Sequence, residues 1–198
     1  MKILAFVDLH GDYKELEMLK KKARVSRVDI VICAGDMTIF GADEENIIKS
    51  ISEFKTPTLI IHGNHEDSES LYSNCENYEN LIFMHCASFR NDKYIFFGYG
   101  GGGFSKRDEN FKIVSKNFSK DIKKDDKKIL ILHGPPYGTD ADFTNDAHVG
   151  NKDYMDFIKS KDIDLVISGH IHETAGSDQK MGNSRIINPG KKGMIIDI

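Results

Sequence analysis

Five short apolar runs, each followed closely by polar residues of the same few types, constrain the fold of this chain more than any other feature. The runs occupy residues 3–7, 30–34, 59–61, 129–132 and 163–167, and aspartate, asparagine or histidine follows each within a few residues. Short apolar runs bounded by turn residues are typical of buried strands. Since α/β proteins carry functional residues in the loops that leave such strands, we expect the five loops to converge.

The first third of the chain alternates strand-like and helix-like patterns. Apolar residues recur at helical spacing over residues 16–23 and 47–54, between the first three strand-like runs. Strands that alternate with helices indicate parallel pairing with right-handed crossovers. The sequence therefore predicts an α/β fold.

The rest of the chain contains further short strands and two further helices. Residues 81–84 and 94–98 read as short strands of an antiparallel meander, and helical spacing returns over 111–122 and 154–158. Two last strands, at 185–187 and 194–198, flank the turn Asn188-Pro189-Gly190. We find no linker or repeat, so residues 1–198 are expected to form one domain.

Composition and net charge limit the cellular compartment and the binding partners that we expect. The net charge of -4 gives no general attraction to nucleic acid or anionic membrane, and no apolar run approaches the ~20 residues that span a bilayer. The amino terminus lacks a signal-peptide layout. Three scattered cysteines favour a reducing cytoplasm over a disulfide framework or a thiolate zinc site. We expect a cytoplasmic protein for which nucleic acid is an unlikely partner, and no pattern predicts an oligomeric state.

The polar residues at the strand ends match the donors of a metal centre. Carboxylate, imidazole and amide oxygen without thiolate suit Mn, Fe, Ni, Co or Zn. Two pairs stand two residues apart, so in extended backbone both side chains of a pair face the same side. The residues are Asp8, His10, Asp36, Asn64, His65, His133, His170 and His172.

Two of these residues are candidates for catalytic roles. A site of two ions ~3.5–4 Å apart needs a shared ligand, and Asp36, alone at its strand end, is the predicted bridge. Such a site would supply hydroxide near neutral pH and clamp a phosphoryl group. His65 is then free to assist the leaving oxygen as a general acid. Glu66 or Asp67 could orient its ring and raise its pKa.

The motifs DxH, GD, GNHE, H and GHxH occur in that order between Asp8 and His172. In this the chain resembles the calcineurin-like metallophosphoesterase superfamily. The resemblance implies a four-layer α/β/β/α sandwich of two mixed β-sheets, with a dinuclear metal site at the rim where the strands end. It implies His65 as the catalytic histidine and two divalent ions, manganese first among them. It assigns the first ion to Asp8, His10, Asp36 and His172, and the second to Asp36, Asn64, His133 and His170.

The chain departs from one branch of this superfamily. The protein Ser/Thr phosphatases carry an arginine soon after GD and another just past GNHE, and neither is present here. The chain looks more like the small stand-alone prokaryotic phosphoesterases and phosphodiesterases. We expect a hydrolase for a small phosphomonoester or phosphodiester, with nucleotides among the candidate substrates. The alternatives are a non-catalytic protein-binding module on the same fold and a dimeric DNA nuclease.

Three further features are left with open roles. The polar loop over residues 137–150 is long enough to be functional, and His148 within it could contact substrate, together with Asn64 and His65. The run Gly100–Gly103 is either a flexible turn or a point of close approach. His62 and His85 match no motif and are interpreted as structural.

Overall fold

A computed structural model describes residues 1–198, which form thirteen strands and five α-helices. The strands are β1 (Lys2–Phe6), β2 (Ile30–Cys33), β3 (Thr58–Ile60), β4 (Leu81–Phe83), β5 (Ala87–Asn91), β6 (Tyr94–Tyr99), β7 (Lys127–Leu132), β8 (Phe143–Thr144), β9 (Ala147–His148), β10 (Leu165–Ile167), β11 (Asp178–Met181), β12 (Ser184–Ile187) and β13 (Met194–Asp197). The helices are α1 (Tyr13–Ser26), α2 (Glu44–Ser52), α3 (Ser68–Cys75), α4 (Glu109–Asp121) and α5 (Lys152–Lys161).

Two large mixed sheets organise the strands. The first has the order β13-β1-β2-β3-β4, in which only β13 runs antiparallel to its neighbour. The second has the order β11-β12-β10-β7-β6-β5, with parallel pairing in the centre and an antiparallel strand at each edge. β8 and β9 pair only with each other.

Alternation of side chains along the strands produces the layers. In β1, Leu4 and Phe6 pack with apolar residues of α1 and α2, whereas Ile3 and Ala5 pack with residues of the second sheet. β7 alternates in the same way, with its outer face against α4 and α5. Successive strand residues point to opposite faces, so each sheet has one face on the other sheet and one on helices. The predicted α/β/β/α sandwich of two mixed sheets is confirmed.

Helices α1 and α3 begin directly after loops that leave the ends of strands. The carboxylate of Asp12 accepts a hydrogen bond from the amide of Glu15 and caps α1, which buries Leu16, Leu19 and Ala23. Asp67 caps α3 in the same manner. A capping side chain satisfies amides that the first helical turn leaves free. Each cap thus fixes the point at which a loop from a strand end becomes a helix. None of the five helices has the length and apolar character needed to cross a bilayer.

The predicted meander over residues 81–98 is wrong. β4 lies parallel to β3 in the first sheet, whereas β6 belongs to the second sheet and forms a hairpin with β5. The hairpin partner was missed because β5 (Ala87–Asn91) is a partly exposed edge strand without apolar alternation. The sequence did not predict α3 or β11 either. Both are short and largely polar, so neither has an apolar periodicity.

The glycine run is in part a point of close approach. A Cβ atom on Gly100 would lie 2.6 Å from both Cδ2 and the carbonyl oxygen of His62, and the amide of Gly101 donates to that carbonyl. His62 and His85 hydrogen-bond to each other, and His85 Nδ1 accepts from the amide of Gly100. These two histidines hold β3, β4 and the glycine run together, in line with a structural role.

We expect Gly100→Ala to lower the free energy of unfolding by about 1–3 kcal/mol, the cost of forcing extra atoms into a packed site. Gly103→Ala is the matched control, since its Cβ would meet only His170 Nε2, at 4.0 Å. Thermal unfolding of both variants checks the difference. Equal stability of the two would show that the contact between His62 and the glycine run does not stabilise the fold.

Candidate metal centre

The strand ends that are followed by the candidate metal ligands meet at one rim of the sandwich. β1, β2 and β3 are parallel neighbours in the first sheet, and β7 and β10 are parallel neighbours in the second. Parallel strands present their carboxyl ends at the same edge. Each of these ends delivers candidate ligands, namely Asp8 and His10, Asp36, Asn64 and His65, His133, and His170 and His172.

Three overlapping groups of side chains could each hold a cation. Within every group, the ligand atoms lie within 4.8 Å of one another. His10 and Asp36 each belong to two groups, so the groups form one continuous cluster. Asn64 joins this cluster, because its Oδ1 lies 3.1 Å from Nε2 of His133. The groups are Asp8, His10 and His172; His10, Asp36 and His65; and Asp36, His133 and His170.

Asp36 lies at the centre of the cluster. Its Oδ2 is 3.3 Å from Nε2 of His133, 3.9 Å from Nε2 of His65 and 4.0 Å from Nε2 of His10. Its Oδ1 accepts a hydrogen bond of 3.0 Å from the amide of His65. One carboxylate oxygen is therefore fixed by the backbone while the other faces three imidazoles, so Asp36 is placed to be shared between two groups of donors.

Hydrogen bonds select the imidazole nitrogen that faces the cluster. His133 Nδ1 donates to the carbonyl oxygen of Ala34 at 3.0 Å, and His10 Nδ1 donates to that of Thr38 at 3.2 Å. A carbonyl oxygen can only accept, so Nδ1 carries the proton in both rings. When either ring is neutral, its Nε2 presents a lone pair to the cluster, as a metal-binding histidine does; in protonated His133 the same nitrogen donates to Asp36.

One buried nitrogen in the cluster has no partner in the protein. His170 Nε2 is shielded from solvent and makes no hydrogen bond, which is rare for a buried polar atom. It belongs to the same group as Asp36 and His133. A cation at this group would supply the missing partner, and the oxygen and nitrogen donors suit the divalent metals that the sequence predicts. The residues therefore fit a metal centre.

The electrostatics of the cluster keep its main ligands in the required protonation states. Burial alone raises the pKa of Asp36, but the hydrogen bond and charge of His133 outweigh it and lower that pKa to about 2. Burial, together with the charge of His133, lowers the pKa of His170 to about 4. Asp36 is therefore anionic and His170 neutral near pH 7, as metal binding demands.

The pKa values of two other groups in the cluster are shifted in the direction that favours the protonated form. Burial raises the pKa of Asp8 above its ordinary value. Burial lowers the pKa of His133, but the neighbouring Asp36 carboxylate more than compensates, and the pKa of His133 lies above its usual range. A proton and a cation compete for such groups, so metal binding to the cluster weakens as the pH falls.

Comparison with known proteins assigns the chain to a family. The family model of the calcineurin-like phosphoesterases matches residues 1–174. The chain belongs to this family. The predicted resemblance is thus confirmed, and family members are metal-dependent phosphoesterases. A comparison with curated proteins found no match.

Solved structures share the family fold with this chain. A Thermus thermophilus protein is 19% identical with a TM-score of 0.76, over 96% of this chain and 89% of its own. An archaeal phosphodiesterase is 20% identical with a TM-score of 0.59, over 96% and 84%. A dimetal phosphatase from Danio rerio is 10% identical with a TM-score of 0.64, over 94% and 86%. At these identities the likeness establishes a common fold.

Four candidate ligands of this calcineurin-like site adopt left-handed backbone conformations. The φ angles are 57° at Asp8, 46° at His10, 51° at Asp36 and 69° at His170. Such angles are uncommon outside glycine, and they concentrate at functional sites. The extended backbone assumed for the two pairs is therefore wrong, although Asp8 and His10 do share one group. The strands have already ended, and His170 and His172 in fact belong to different groups.

Glu66 braces the site and does not orient His65. Its carboxylate is buried and accepts from the amides of Asp36, Thr38 and Gly63 and from the hydroxyl of Thr38, at 2.8–3.0 Å. It thereby ties the loop after β2 to the loop after β3. The bond to Gly63 is the part that the sequence could have suggested, because the two residues are three positions apart.

The ring of His65 is oriented by a residue that the sequence did not single out. His65 Nδ1 accepts a hydrogen bond of 3.2 Å from the amide of Phe40, whose ring stacks on the imidazole at 4.2 Å. Neutral His65 then carries its proton on Nε2, the nitrogen nearer Asp36. Asp67 caps α3, so the prediction that Glu66 or Asp67 would orient His65 is wrong.

The loop over residues 137–150 borders the site, although His148 itself is held elsewhere. His148 Nδ1 bonds to Oδ1 of the buried Asp142 at 2.7 Å. Neighbouring residues of the β8–β9 hairpin, together with Phe104, line a cavity of about 340 Å³ that reaches His170 and His172. His148 is not part of that lining. Its contact with substrate stays a prediction.

Proposed function

We propose that this chain is a dinuclear metal-dependent hydrolase that cleaves a phosphomonoester or phosphodiester. The position of Asp36 carries the proposal. One carboxylate oxygen within 4.0 Å of three imidazole nitrogens gives two adjacent groups of ligands a common member. His170 Nε2 lies in the same cluster and has no hydrogen-bond partner, and a bound cation would give it a partner.

Each residue of the cluster has a role in this proposal. One ion would be held by Asp8, His10, Asp36 and His172, and the other by Asp36, Asn64, His133 and His170. When bound, two such ions activate water near neutral pH and stabilise the charge that develops on phosphoryl oxygens. We favour manganese, with Fe, Ni, Co or Zn as further candidates.

His65 acts on the leaving group in this proposal. Its Nε2–H, directed by the bond from the Phe40 amide to Nδ1, can donate to the oxygen that departs from phosphorus. A positioned donor of this kind contributes to catalysis by offsetting negative charge as the bond breaks. Asn64 and His65 also contact the substrate phosphoryl group in this proposal. The substrate is a small molecule, in our proposal, with nucleotides among the candidates.

Turnover of a chromogenic ester tests the proposal. The protein is stripped of metal, reloaded with Mn, Ni or Co, and assayed with bis-p-nitrophenyl phosphate and p-nitrophenyl phosphate. We expect metal-dependent release of p-nitrophenol from at least one of them. Protein that contains two metals per chain and remains inert on both substrates would favour the non-catalytic binding module. Cleavage of single-stranded DNA in place of the small esters would favour the nuclease.

Chelation is expected to destabilise the protein. Ligands that bind only the folded state stabilise it by RT ln(1 + [L]/Kd), about 2.7 kcal/mol at a hundredfold excess over Kd. Added Mn should therefore raise the melting temperature of stripped protein, as differential scanning calorimetry measures. His170→Gln serves as the comparison, because it removes one ligand and should reduce the shift. An equal shift in both proteins would place the bound metal outside this cluster.

A further inference from the structure

A cleft of about 650 Å³ opens from one edge of the metal cluster. Its inner wall is formed by the candidate ligands Asp8, His10 and His172, and its outer wall by residues 189–194. The half-buried side chain of Met194 gives it apolar surface. Binding sites for small organic molecules typically have volumes of about 300–1,000 Å³. The cleft is therefore large enough for the organic portion of a substrate whose phosphoryl group lies at the cluster.

The outer wall carries two lysines in different electrostatic states. Lys191 Nζ bonds to Oδ2 of Asp12 at 2.9 Å, and this partner raises the pKa of Lys191. Lys192 is exposed and forms no ion pair. Beyond the residues that would hold metal, the lining thus has two positive charges and one negative charge. The surplus positive charge faces a cleft in a protein whose net charge is -4.

The loop that presents these lysines has a fixed backbone. The side-chain amide of Asn188 donates to the carbonyl of Ile171 and accepts from the amide of Gly190, both at 3.0 Å. From α1, Lys22 Nζ donates to the carbonyls of Lys192 and Gly193 at 2.6 and 3.0 Å. The backbone that carries both lysines is therefore held at the edge of the cleft, and a fixed backbone reduces the entropy lost when a ligand binds.

We propose that this cleft is a subsite for a second anionic group, so that preferred substrates are phosphoesters whose organic portion bears a further phosphate. Lys192 binds that group directly, and Lys191 contributes when it exchanges Asp12 for the ligand. The subsite rests on the proposed phosphoesterase function and narrows it to a substrate class. The groups that bind the second anion are the two lysines and not the candidate metal ligands.

A pair of sugar phosphates tests the subsite. Fructose 6-phosphate and fructose 1,6-bisphosphate differ only in the second phosphate, and each is measured as an inhibitor of bis-p-nitrophenyl phosphate turnover by Mn-loaded protein. Calorimetric titration of the Asp36→Asn variant, in which hydrolysis is slowed, gives the same comparison by direct binding. In the wild type we expect the bisphosphate to bind more tightly. In Lys192→Gln that advantage should shrink about twofold to fivefold, as for the loss of one charge-assisted contact near the surface.

Two further variants sharpen the comparison. Lys124→Gln is the matched control, because Lys124 is an exposed lysine close to the amino-terminal end of β7, away from the rim. It should leave the ratio of the two affinities unchanged. Asp12→Asn keeps a residue able to cap α1 but removes the acid that holds Lys191, so it should increase the advantage of the bisphosphate.

The outcomes separate the two proposals. Wild-type protein that turns over the ester but binds both sugar phosphates equally would overturn the subsite and leave the phosphoesterase function standing. An advantage that persists in Lys192→Gln would overturn it too. A protein inert on the ester would contradict the phosphoesterase function, while calorimetry would still decide the subsite.

Discussion

Asp36→Asn should lower turnover of bis-p-nitrophenyl phosphate by on the order of a hundredfold to a thousandfold, the range for removing one preorganised electrostatic group. The asparagine keeps an oxygen that can accept from the amide of His65, so the loop after β3 remains anchored. It places a neutral NH₂ group where Oδ2 faces three imidazoles. Steady-state kinetics with metal content measured in parallel checks this result.

Asp125→Asn is the control for this substitution. Asp125 is exposed, in the turn that precedes β7, and makes no side-chain hydrogen bond or ion pair. It should retain full activity and metal content. If Asp36→Asn kept both wild-type turnover and two metals per chain, Asp36 would not be the shared ligand.

Glu66→Ala should be among the most destabilising substitutions in the chain, with a loss of about 3–5 kcal/mol in the free energy of unfolding. Alanine would leave the amides of Asp36, Thr38 and Gly63 without the acceptor that they share. Each buried donor left unpaired costs about 1–3 kcal/mol. Because these amides also fix the ligand loops, metal affinity should fall together with stability.

Chemical denaturation of Glu66→Ala and Glu79→Ala checks this expectation. Glu79 is an exposed glutamate with no side-chain hydrogen bond and should cost little. Glu66→Gln adds a finer comparison, since it keeps one acceptor oxygen and should lose less stability than the alanine variant. A loss below about 1 kcal/mol for Glu66→Ala would mean that water can replace the carboxylate between the two loops.

The candidate ligands could be picked out from the sequence because they follow strands with a strong apolar pattern. Asp36 and His133, for example, come within two residues of apolar runs that are typical of buried strands. The pairing of strands was not accessible in the middle of the chain. Local spacing shows that β4 and β6 are strands, but which sheet takes each depends on packing between distant segments.

The supporting contacts of the site were hidden for a different reason. Phe40 orients His65 through a backbone amide, and a sequence carries no mark of such a donor. The role of Glu66 depends on amides 28 and 30 residues earlier in the chain. The left-handed conformations of Asp8 and Asp36 are imposed by the fold around them. The sequence therefore indicated the candidate ligands but not the residues that position them.

A crystal structure of the protein loaded with Mn, with anomalous scattering used to locate the ions, tests the central claim most directly. The account predicts two ions about 3.5–4 Å apart, with Asp36 Oδ2 bound to both and His170 Nε2 bound to one of them. A single ion, or two ions that share no contact with Asp36, would contradict it.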